Sequence, residues 1–294
     1  MLPIEFEENI TYKKIFDSLQ MGMITIDESG QILLANTEAG KLFTTDMDML
    51  LNSKLTEFVP DAEEKLILNT GEERRESPCI RATGLRNGEH FPLEITISTS
   101  DMGSNLSVVL LMKDITEIQK AEEDLKRQAF FDTLTKIPNR TLFEDRSIIA
   151  LNQAGRDKDK VAIIFIDLDG FKKINDTLGH EAGDVMLKEF ALRLSNCARI
   201  SDTVSRYGGD EFTVLMPRIK TKEDAAILAN RILESNTQEI RFNGNKLFPQ
   251  TSIGISIFPS DGTSFDELLH HADSAMYEAK GSGKNTYKFF NSEE

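Results

Sequence analysis

The chain has 294 residues, a net charge of −15 at neutral pH and 39% hydrophobic residues. Its length predicts about two domains, and its composition suits two ordinary hydrophobic cores, which excludes a disordered or fibrous protein. The acidic balance argues against a nucleic acid or an anionic membrane surface as partner, because both are bound mainly through excess lysine and arginine.

Cysteine use and hydropathy indicate a cytoplasmic chain. Cys79 and Cys197 are the only cysteines and lie far apart in the sequence, which fits a reducing compartment better than a disulfide scaffold. Both are predicted to be buried thiols. Every apolar run is too short to cross a bilayer, and the acidic start of the chain lacks the features of a secretion signal. We therefore expect a cytoplasmic location and no direct membrane insertion.

Residues 1–113 contain short strand and helix patterns in alternation. After a lead-in helix at 12–19, strands are predicted at 23–27 and 31–35, and Asn36 then precedes a helical stretch at 37–43. Later strands are predicted at 79–85, at 91–97 with alternating apolar residues, and at 106–112; Asn87 and Gly88 form the turn between the first two. The pattern predicts an antiparallel sheet with flanking helices.

The order of these elements resembles a PAS domain. The likeness depends on the paired strands joined by an Asp-x-x-Gly turn, the Asn after them and the closing segment Asp114-Ile115-Thr116-Glu117. The resemblance implies a sensor domain with a pocket for a small ligand or a surface for dimerisation. The residues do not indicate which ligand is bound: His90 follows a turn, which favours a solvated side chain over a haem ligand.

Residues 114–131 are predicted to form a helical connector. Thr116 to Gln119 fits a capping box that opens a helix. Ile118, Leu125 and Ala129 then recur at near-heptad spacing, which suits a parallel two-helix coil. A single solvated linker helix explains the same spacing, since two heptads are marginal for an isolated coiled coil.

Residues 161–166 form a continuous apolar run that is typical of a strand buried on both faces. Asp167, Leu168 and Asp169 follow it directly. Carboxylates at the end of a central strand lie where α/β folds place their ligand chemistry. A metal site and a polar strand end that caps the next helix are equally compatible with Asp-x-Asp alone.

Two helices are predicted after this strand. The first contains Asn175 and is ended by glycine, and the second begins at Gly183 and Asp184, with Asp184 as a candidate N-cap. Together Asn175 and Asp184 offer an amide and a carboxylate that can pair with the edge of a purine. The carboxylate matches the two N–H donors of guanine, which adenine lacks in that arrangement.

The run Arg206-Tyr207-Gly208-Gly209-Asp210-Glu211-Phe212 is flanked by β-prone segments. It predicts a tight hairpin with Gly-Gly as the loop, positive φ at both glycines and two acids at its exit. Acids after a hairpin turn are usually solvated, but a pair held at a rigid tip also suits a metal site.

The string Gly-Gly-Asp-Glu-Phe would arise by chance in about one such chain in five thousand. It resembles the signature of the GGDEF family, the diguanylate cyclases. The segment at 132–140 resembles the start of these domains and the segment at 273–280 their closing helix, so the likeness covers 132–294. It implies a central mixed sheet surrounded by helices, and with the PAS-like half a two-domain α+β and α/β chain.

The resemblance implies that two GTP molecules are condensed to cyclic di-GMP, with release of two pyrophosphates, and it assigns roles to residues at matching positions. Its metal is Mg²⁺, with Mn²⁺ as an alternative ion. The matching positions are Asp167, the Leu168 carbonyl, Asp210 and Glu211 for the metal; Asp210 and Lys172 for catalysis; Asn175, His180, Asp184, Lys280 and Lys284 for GTP. Lys284 stands where the family usually has arginine, so it keeps the charge but lacks the bidentate fork.

Arg199 and Asp202 match the family's inhibitory site for its own product. In isolation such an Arg-x-x-Asp pair is usually a surface pair of little energetic weight. Because one site holds one GTP and the product is two-fold symmetric, the resemblance also implies a homodimer. The alternative is a catalytically silent GGDEF-like receptor for GTP or cyclic di-GMP.

Overall fold

A computed structural model describes residues 14, 16–67, 79–102 and 105–291. The chain packs as two units, residues 1–123 and 124–294. The predicted lead-in helix falls mostly outside the described residues, of which Lys14 and residues 16–18 are helical. Within the described part, none of the helices combines the length and the apolar character needed to span a bilayer.

The first unit is a five-stranded antiparallel sheet in the order β2-β1-β5-β4-β3, with short helices between its second and third strands. Its elements are β1 Gly22–Ile26, β2 Ile32–Ala35, α1 Thr37–Phe43, α2 Met47–Leu51, a 3₁₀ turn Leu55–Glu57, α3 Ala62–Ile67, β3 Cys79–Arg86, β4 Glu89–Met102 and β5 Asn105–Asp114. This is the predicted PAS-like architecture.

One face of this sheet forms the core of the first unit. Alternate residues of β4 are buried, namely Phe91, Leu93, Ile95 and Ile97, as the period of two in the sequence predicts. The prediction that both cysteines are buried is wrong for Cys79, which is exposed at the start of the edge strand β3. Cys197 is buried, as predicted. An edge strand leaves its outward-facing side chains in solvent, which explains the difference.

The connector is the helix α4, Thr116–Phe130. Its start differs from the predicted capping box, because the Asp114 carboxylate accepts hydrogen bonds from the backbone N–H and hydroxyl of Thr116, at 2.9 and 2.5 Å. Arg86 Nη1 lies 3.2 Å from the same carboxylate and ties it to β3. None of the residues of α4 is buried, and Ile118 and Leu125 are 42% and 65% exposed.

The second unit is a five-stranded mixed sheet in the order β12-β11-β6-β8-β7, in which only the β11–β12 pair is parallel. A two-stranded hairpin lies apart from it. The elements are α5 Arg140–Asp157, β6 Lys160–Leu168, α6 Phe171–Leu178, α7 His180–Cys197, β7 Thr203–Gly208, β8 Glu211–Ile219, α8 Lys222–Ser235, β9 Ile240–Phe242, β10 Asn245–Leu247, β11 Thr251–Phe258, α9 Phe265–Gly281 and β12 Thr286–Phe289.

Helices cover both faces of this sheet. Ala162, Ile164 and Ile166 of β6 pack with residues of α7 and α8, whereas Ile163 and Phe165 pack with residues of α5 and α9. β6 is therefore buried on both faces, as its continuous apolar run predicts. The mixed sheet surrounded by helices agrees with the predicted fold class.

A close approach between α9 and β11 depends on Gly254. A Cβ on Gly254 would lie 1.9 Å from the backbone oxygen of Ala272 and 2.2 Å from the backbone nitrogen of Met276. Both atoms belong to the helix backbone and cannot move aside without displacing α9. Gly254 thus fixes how closely α9, which carries Lys280, lies against the sheet.

Substitution of Gly254 by alanine should lower the stability of the second unit. The added methyl group overlaps helix backbone, and overpacking of this kind typically costs about 1–3 kcal/mol. The midpoint of urea unfolding of Gly254→Ala, compared with that of the wild type, measures the effect. An unchanged midpoint would show that α9 can shift away from β11 without a loss of stability.

Candidate active site

The turn between β7 and β8 consists of Gly209 and Asp210. Gly209 has a φ of 52°, whereas Gly208 ends β7 and lies outside the positive-φ region. The prediction that Gly208 and Gly209 form the loop, both with positive φ, is therefore wrong: the loop lies one residue later, and of the two glycines only Gly209 has a positive φ. The reason is a β-bulge: the pairing passes from Arg206–Phe212 to Gly208–Glu211, so Tyr207 is an extra residue.

The Arg206 side chain holds this turn in place. Its Nε and Nη2 donate to the Gly209 carbonyl oxygen at 2.8 and 2.6 Å. Its Nη1 lies 3.1 and 3.2 Å from the two carboxylate oxygens of Asp132, which also accepts hydrogen bonds from Thr135. Burial opposes ionisation of Asp132, but the bonds from Thr135 and Arg206 outweigh it, so the pKa of Asp132 lies below its usual value.

The structure brings the predicted metal residues together at the ends of β6 and β8. Asp167 stands directly opposite Glu211 in the antiparallel ladder, so the two side chains share one face of the sheet. The backbone N–H of Leu168 donates to the Asp210 carbonyl oxygen at 3.2 Å. Strand pairing alone thus gathers residues that are more than forty positions apart in the sequence.

Electrostatic repulsion marks this cluster. Burial raises the pKa of Asp210, and the Asp167 carboxylate raises it further. Burial, followed by the charges of Asp167, Asp273 and Asp210, raises the pKa of Glu211. Asp273 lies on α9 and was not predicted from the sequence as part of the site.

Lys280 partly compensates this negative charge. Its Nζ lies 2.8 Å from Asp167 Oδ2, and the two side chains are 30% and 14% exposed. The lysine reaches the cluster because α9 packs tightly on β11 at Gly254. An ammonium group thus already occupies part of the space in which the carboxylates favour a cation.

The donor set fits a hard divalent cation in its chemistry. Asp167, Asp210 and Glu211 offer only carboxylate oxygens, which are the ligands that Mg²⁺ and Mn²⁺ accept. Within the described residues, no three acidic, histidine or cysteine side chains are grouped closely enough to form a metal centre as they stand. Binding of a metal would therefore require these side chains to turn toward a common point.

Asp169, the second acid of Asp-x-Asp, has a structural role. Ser252 Oγ donates to its two carboxylate oxygens at 3.0 and 3.1 Å, and the backbone N–H of Asn285 donates at 3.2 Å. These bonds tie the end of β6 to β11 and to the segment after α9. Both carboxylate oxygens of Asp169 are thus already engaged in holding the fold together.

The predicted base-binding residues lie on two consecutive helices. Asn175 is half-buried on α6, and His180 and Asp184 are exposed on α7. Asp184 is not an N-cap, because α7 begins at His180 and includes it. The helix starts earlier than predicted since Gly179, with a φ of 86°, ends α6 and opens α7 at the same residue.

The remaining lysines lie at the margins of the cluster's elements. Lys172 is exposed in the first turn of α6. Lys284 is exposed just beyond α9, with a φ of 64°, and its backbone N–H donates to the Ala279 carbonyl oxygen at 3.2 Å. Within the described residues neither makes an ion pair, so both charges are available to a ligand.

Arg199 and Asp202 lie at the other end of β7 from the turn, about 20 Å away at the rise of an extended strand. The backbone N–H of Arg199 donates to Asp202 Oδ2 at 2.8 Å and shapes the loop. The Arg199 guanidinium lies 3.6 Å from Asp224 Oδ1 on α8. These residues therefore lie apart from the carboxylate cluster.

Comparison with known proteins identifies the second unit. Residues 129–286 match the family profile described as "Diguanylate cyclase, GGDEF domain". The chain belongs to the GGDEF family. Residues 11–115 match the PAS fold, in agreement with the resemblance seen in the sequence.

Individual relatives agree with this membership. The bifunctional diguanylate cyclase/cyclic di-GMP phosphodiesterase MucR of Pseudomonas aeruginosa is 43% identical over 217 residues, which span 71% of this chain and 32% of MucR. This chain thus spans about a third of the length of MucR.

Solved GGDEF structures share the fold. The GGDEF domain of TpbB, also called YfiN, from P. aeruginosa is 40% identical with a TM-score of 0.54, over 55% of this chain and 94% of that one. The coiled coil and GGDEF domain of DgcB from Caulobacter crescentus, solved with c-di-GMP, is 25% identical with a TM-score of 0.54, over 60% of this chain and 93% of that one.

Removal of the Arg206 guanidinium should loosen the turn of the GGDEF domain. Arg206→Gln removes the guanidinium that donates to both the Asp132 carboxylate and the Gly209 carbonyl, at a cost of about 1–3 kcal/mol. We expect faster amide hydrogen exchange across 203–219, measured by mass spectrometry.

Arg193→Gln is the matched control for this experiment. Arg193 is similarly buried and donates to Glu189 and to three backbone carbonyls, but on another side of the domain. Its loss should lower stability without a selective effect on the hairpin. The role assigned to Arg206 is wrong if both variants change exchange in 203–219 equally.

Neutralising Asp210 should stabilise the protein at neutral pH in the absence of divalent metal. Because its pKa is raised in the folded state, the ionised carboxylate lowers the free energy of unfolding above that pKa, and this penalty disappears as the pH falls through it. Asp210→Asn should therefore raise the melting temperature at pH 7.5, by about 2–4 °C per kcal/mol relieved.

The gain in melting temperature should shrink as the pH is lowered. Glu211→Gln should behave in the same way, since its pKa is also raised, whereas Glu278→Gln on the exposed side of α9 should not. A gain that is independent of pH would contradict the electrostatic explanation.

Proposed function

We propose that this chain is a diguanylate cyclase that condenses two GTP molecules to cyclic di-GMP and releases two pyrophosphates. The observation that carries the proposal is the cluster of Asp167, Asp210 and Glu211 against Lys280. Mutually repelling, partly buried acids lower stability, and a chemical function that needs them is the simplest reason for their presence.

Each GGDEF domain would hold one GTP. Asn175, His180 and Asp184 are assigned to the guanine, because an amide and a carboxylate suit its mixed donor and acceptor edge. Lys172, Lys280 and Lys284 are assigned to the phosphates, with Lys172 as the charge that stabilises the transition state. The sequence has no Walker-type phosphate loop, so these cations and backbone amides must supply the phosphate contacts.

The reaction is an in-line displacement carried out twice. The 3′-hydroxyl of one GTP attacks the α-phosphorus of the other, a new P–O bond forms, and the bond to the bridging oxygen of the leaving pyrophosphate breaks. Asp210 is assigned to accept the hydroxyl proton. In the metal-free chain, burial and the neighbouring Asp167 raise the pKa of Asp210 above that of an exposed aspartate.

Asp167, Asp210, Glu211 and the Leu168 carbonyl would hold Mg²⁺, or alternatively Mn²⁺, which supplies positive charge to the phosphates. Lys280 would then leave Asp167 for the triphosphate. The metal ion and the Lys280 ammonium group both carry positive charge and both favour the Asp167 carboxylate. The metal would therefore take the place of the ammonium group there, and the negative charge of the acids would stay compensated.

A homodimer follows from the two-fold symmetry of the product, because two GTP-loaded domains must face each other across a C2 axis. The exposed Ile118 and Leu125 on α4 support a helix partner in the connector. We assign residues 1–113 to a PAS sensor domain, 114–131 to the connector and 132–294 to the cyclase.

Arg199 and Asp202 are proposed to bind the product and inhibit the enzyme. The backbone bond to Asp202 already shapes the loop. The exposed pair of Arg199 with Asp224 is weak enough to yield to a phosphate or a guanine edge. The DgcB complex with c-di-GMP supports the general idea that a GGDEF protein binds this nucleotide.

Incubation of the purified chain with GTP and Mg²⁺ tests the proposal. We expect pyrophosphate and cyclic di-GMP, specific activity that rises with protein concentration because two chains are needed, and loss of at least about a hundredfold in Asp210→Ala. Asp157→Ala, at the exposed end of α5, is the control. GTP binding without pyrophosphate release, even at high protein concentration, would favour the silent receptor.

The feedback site has a separate test. Arg199→Ala should let product accumulate beyond the level at which the wild type stops, because the guanidinium contact to the product is lost. With Arg231→Ala, a variant on the exposed side of α8, the product should stop accumulating at the same level as with the wild type. Equal plateaus for the wild type and Arg199→Ala would remove Arg199 from any feedback role.

A further inference from the structure

The side-chain oxygen of Asn175 is buried without a hydrogen-bond partner. Among the described residues only two other buried side-chain atoms, Ser147 Oγ and Asn236 Oδ1, share this state. A buried amide oxygen without a donor costs free energy, so its position calls for a physical reason. The Asn175 oxygen lies against the turn of α7 that contains Gly183.

Gly183 provides the space that the oxygen occupies. A Cβ at this position would lie 2.0 Å from Asn175 Oδ1, 3.0 Å from Asn175 Cγ and 3.0 Å from Phe171 Cζ. Gly183 lies inside α7 and outside the positive-φ region. Its backbone therefore does not require glycine, and alanine would favour the helix.

A second helical glycine shows the contrast. Gly155 lies within α5, and a Cβ there would have only Phe258 Cζ within 4 Å, at 3.9 Å. Alanine would fit at Gly155 without any displacement. The shortest contact at Gly183, 2.0 Å, is made with the Asn175 carboxamide, and Gly155 has no comparable contact.

With its oxygen packed against Gly183, the carboxamide directs its nitrogen outward. Among the described residues, Asn175 Nδ2 makes no hydrogen bond and is not one of the buried unpartnered atoms, so its N–H donors reach the surface and are open to a ligand. Asp184, the residue after Gly183, is exposed and offers carboxylate acceptors. The α6–α7 pair therefore presents a donor and an acceptor next to each other.

We propose that Gly183 is a positioning residue that selects guanine over adenine by holding Asn175 with its donors outward. This inference rests on the proposed GTP-dependent function. Guanine offers N–H donors to Asp184 and acceptor atoms to Asn175. Adenine has an acceptor in place of the ring N–H of guanine and an amino donor in place of its carbonyl, so like groups would face each other.

The first test is Gly183→Ala, with Gly155→Ala as the matched control. The methyl group would push the carboxamide out of its place. Because the nearest atom belongs to the end of the Asn175 side chain, that side chain can rotate aside without displacing the helix. We expect KM for GTP to rise about tenfold, equivalent to about 1.4 kcal/mol. We expect kcat at saturating GTP to change less than twofold, and Gly155→Ala to match the wild type in both.

Nucleotide selectivity gives a second readout that a purely structural role would not move. The ratio of dissociation constants for ATP and GTP, measured by calorimetry with Mg²⁺, should fall about tenfold in Gly183→Ala and stay unchanged in Gly155→Ala. A weaker affinity for both nucleotides by the same factor would overturn the inference.

A double-mutant cycle tests whether Gly183 acts through Asn175. Asn175→Ala should weaken GTP binding, and Gly183→Ala added to it should have little further effect, because the carboxamide, the group nearest to the new methyl, is no longer there to be displaced. Equal losses in both backgrounds would overturn the inference. If the wild type does not bind GTP, the proposed function itself fails; if it binds GTP and Gly183→Ala binds equally well, only this inference fails.

Discussion

Repulsion between carboxylates at the ends of β6 and β8 is the constraint on which the second unit depends. Asp167 and Glu211 are brought face to face by strand pairing, and the pKa values of Asp210 and Glu211 rise because of burial and neighbouring charge. Such a cluster lowers stability unless a cation reaches it. In a chain with a net charge of −15, that cation has to be positioned locally by the fold.

Two packing arrangements position the opposing groups. Gly254 lets α9 approach the sheet closely enough for Lys280 to meet Asp167. Arg206 holds the turn through the Gly209 carbonyl and is itself held by Asp132. Neither arrangement touches a substrate in the proposed reaction, yet each fixes a group that would. The packing at Gly254 and the contacts of Arg206 thus stabilise a fold in which the acids lie close enough to repel one another.

The sequence was sufficient for most strands and for both family resemblances, since these follow from local patterns and short strings. The apolar run at 161–166 became the buried strand β6, and the alternation at 91–97 became the inward face of β4. The turn was predicted one residue early because a bulge at Tyr207 leaves no local signal. The exposure of Cys79 depends on its place at the sheet edge, which composition does not reveal.

The contacts that support the site were also not predictable, because they join distant segments. Arg206 carried a usable signal, as a charged residue within an apolar strand, but its partner Asp132 is more than seventy positions away. Gly183 and Asp273 gained meaning only when α6, α7 and α9 were packed against their neighbours. Local pattern therefore identifies which acids are present, whereas long-range packing shifts their pKa values and sets their geometry.

The two ends of α4 are fixed by the same kind of contact. At its start, Asp114 accepts hydrogen bonds from Thr116 and pairs with Arg86; just after its end, Asp132 accepts from Thr135 and pairs with Arg206. No residue of α4 is buried, so buried side chains do not anchor the helix. Because Arg206 also holds Gly209, only Asp132 and Arg206 separate the end of the connector from the turn that carries Asp210.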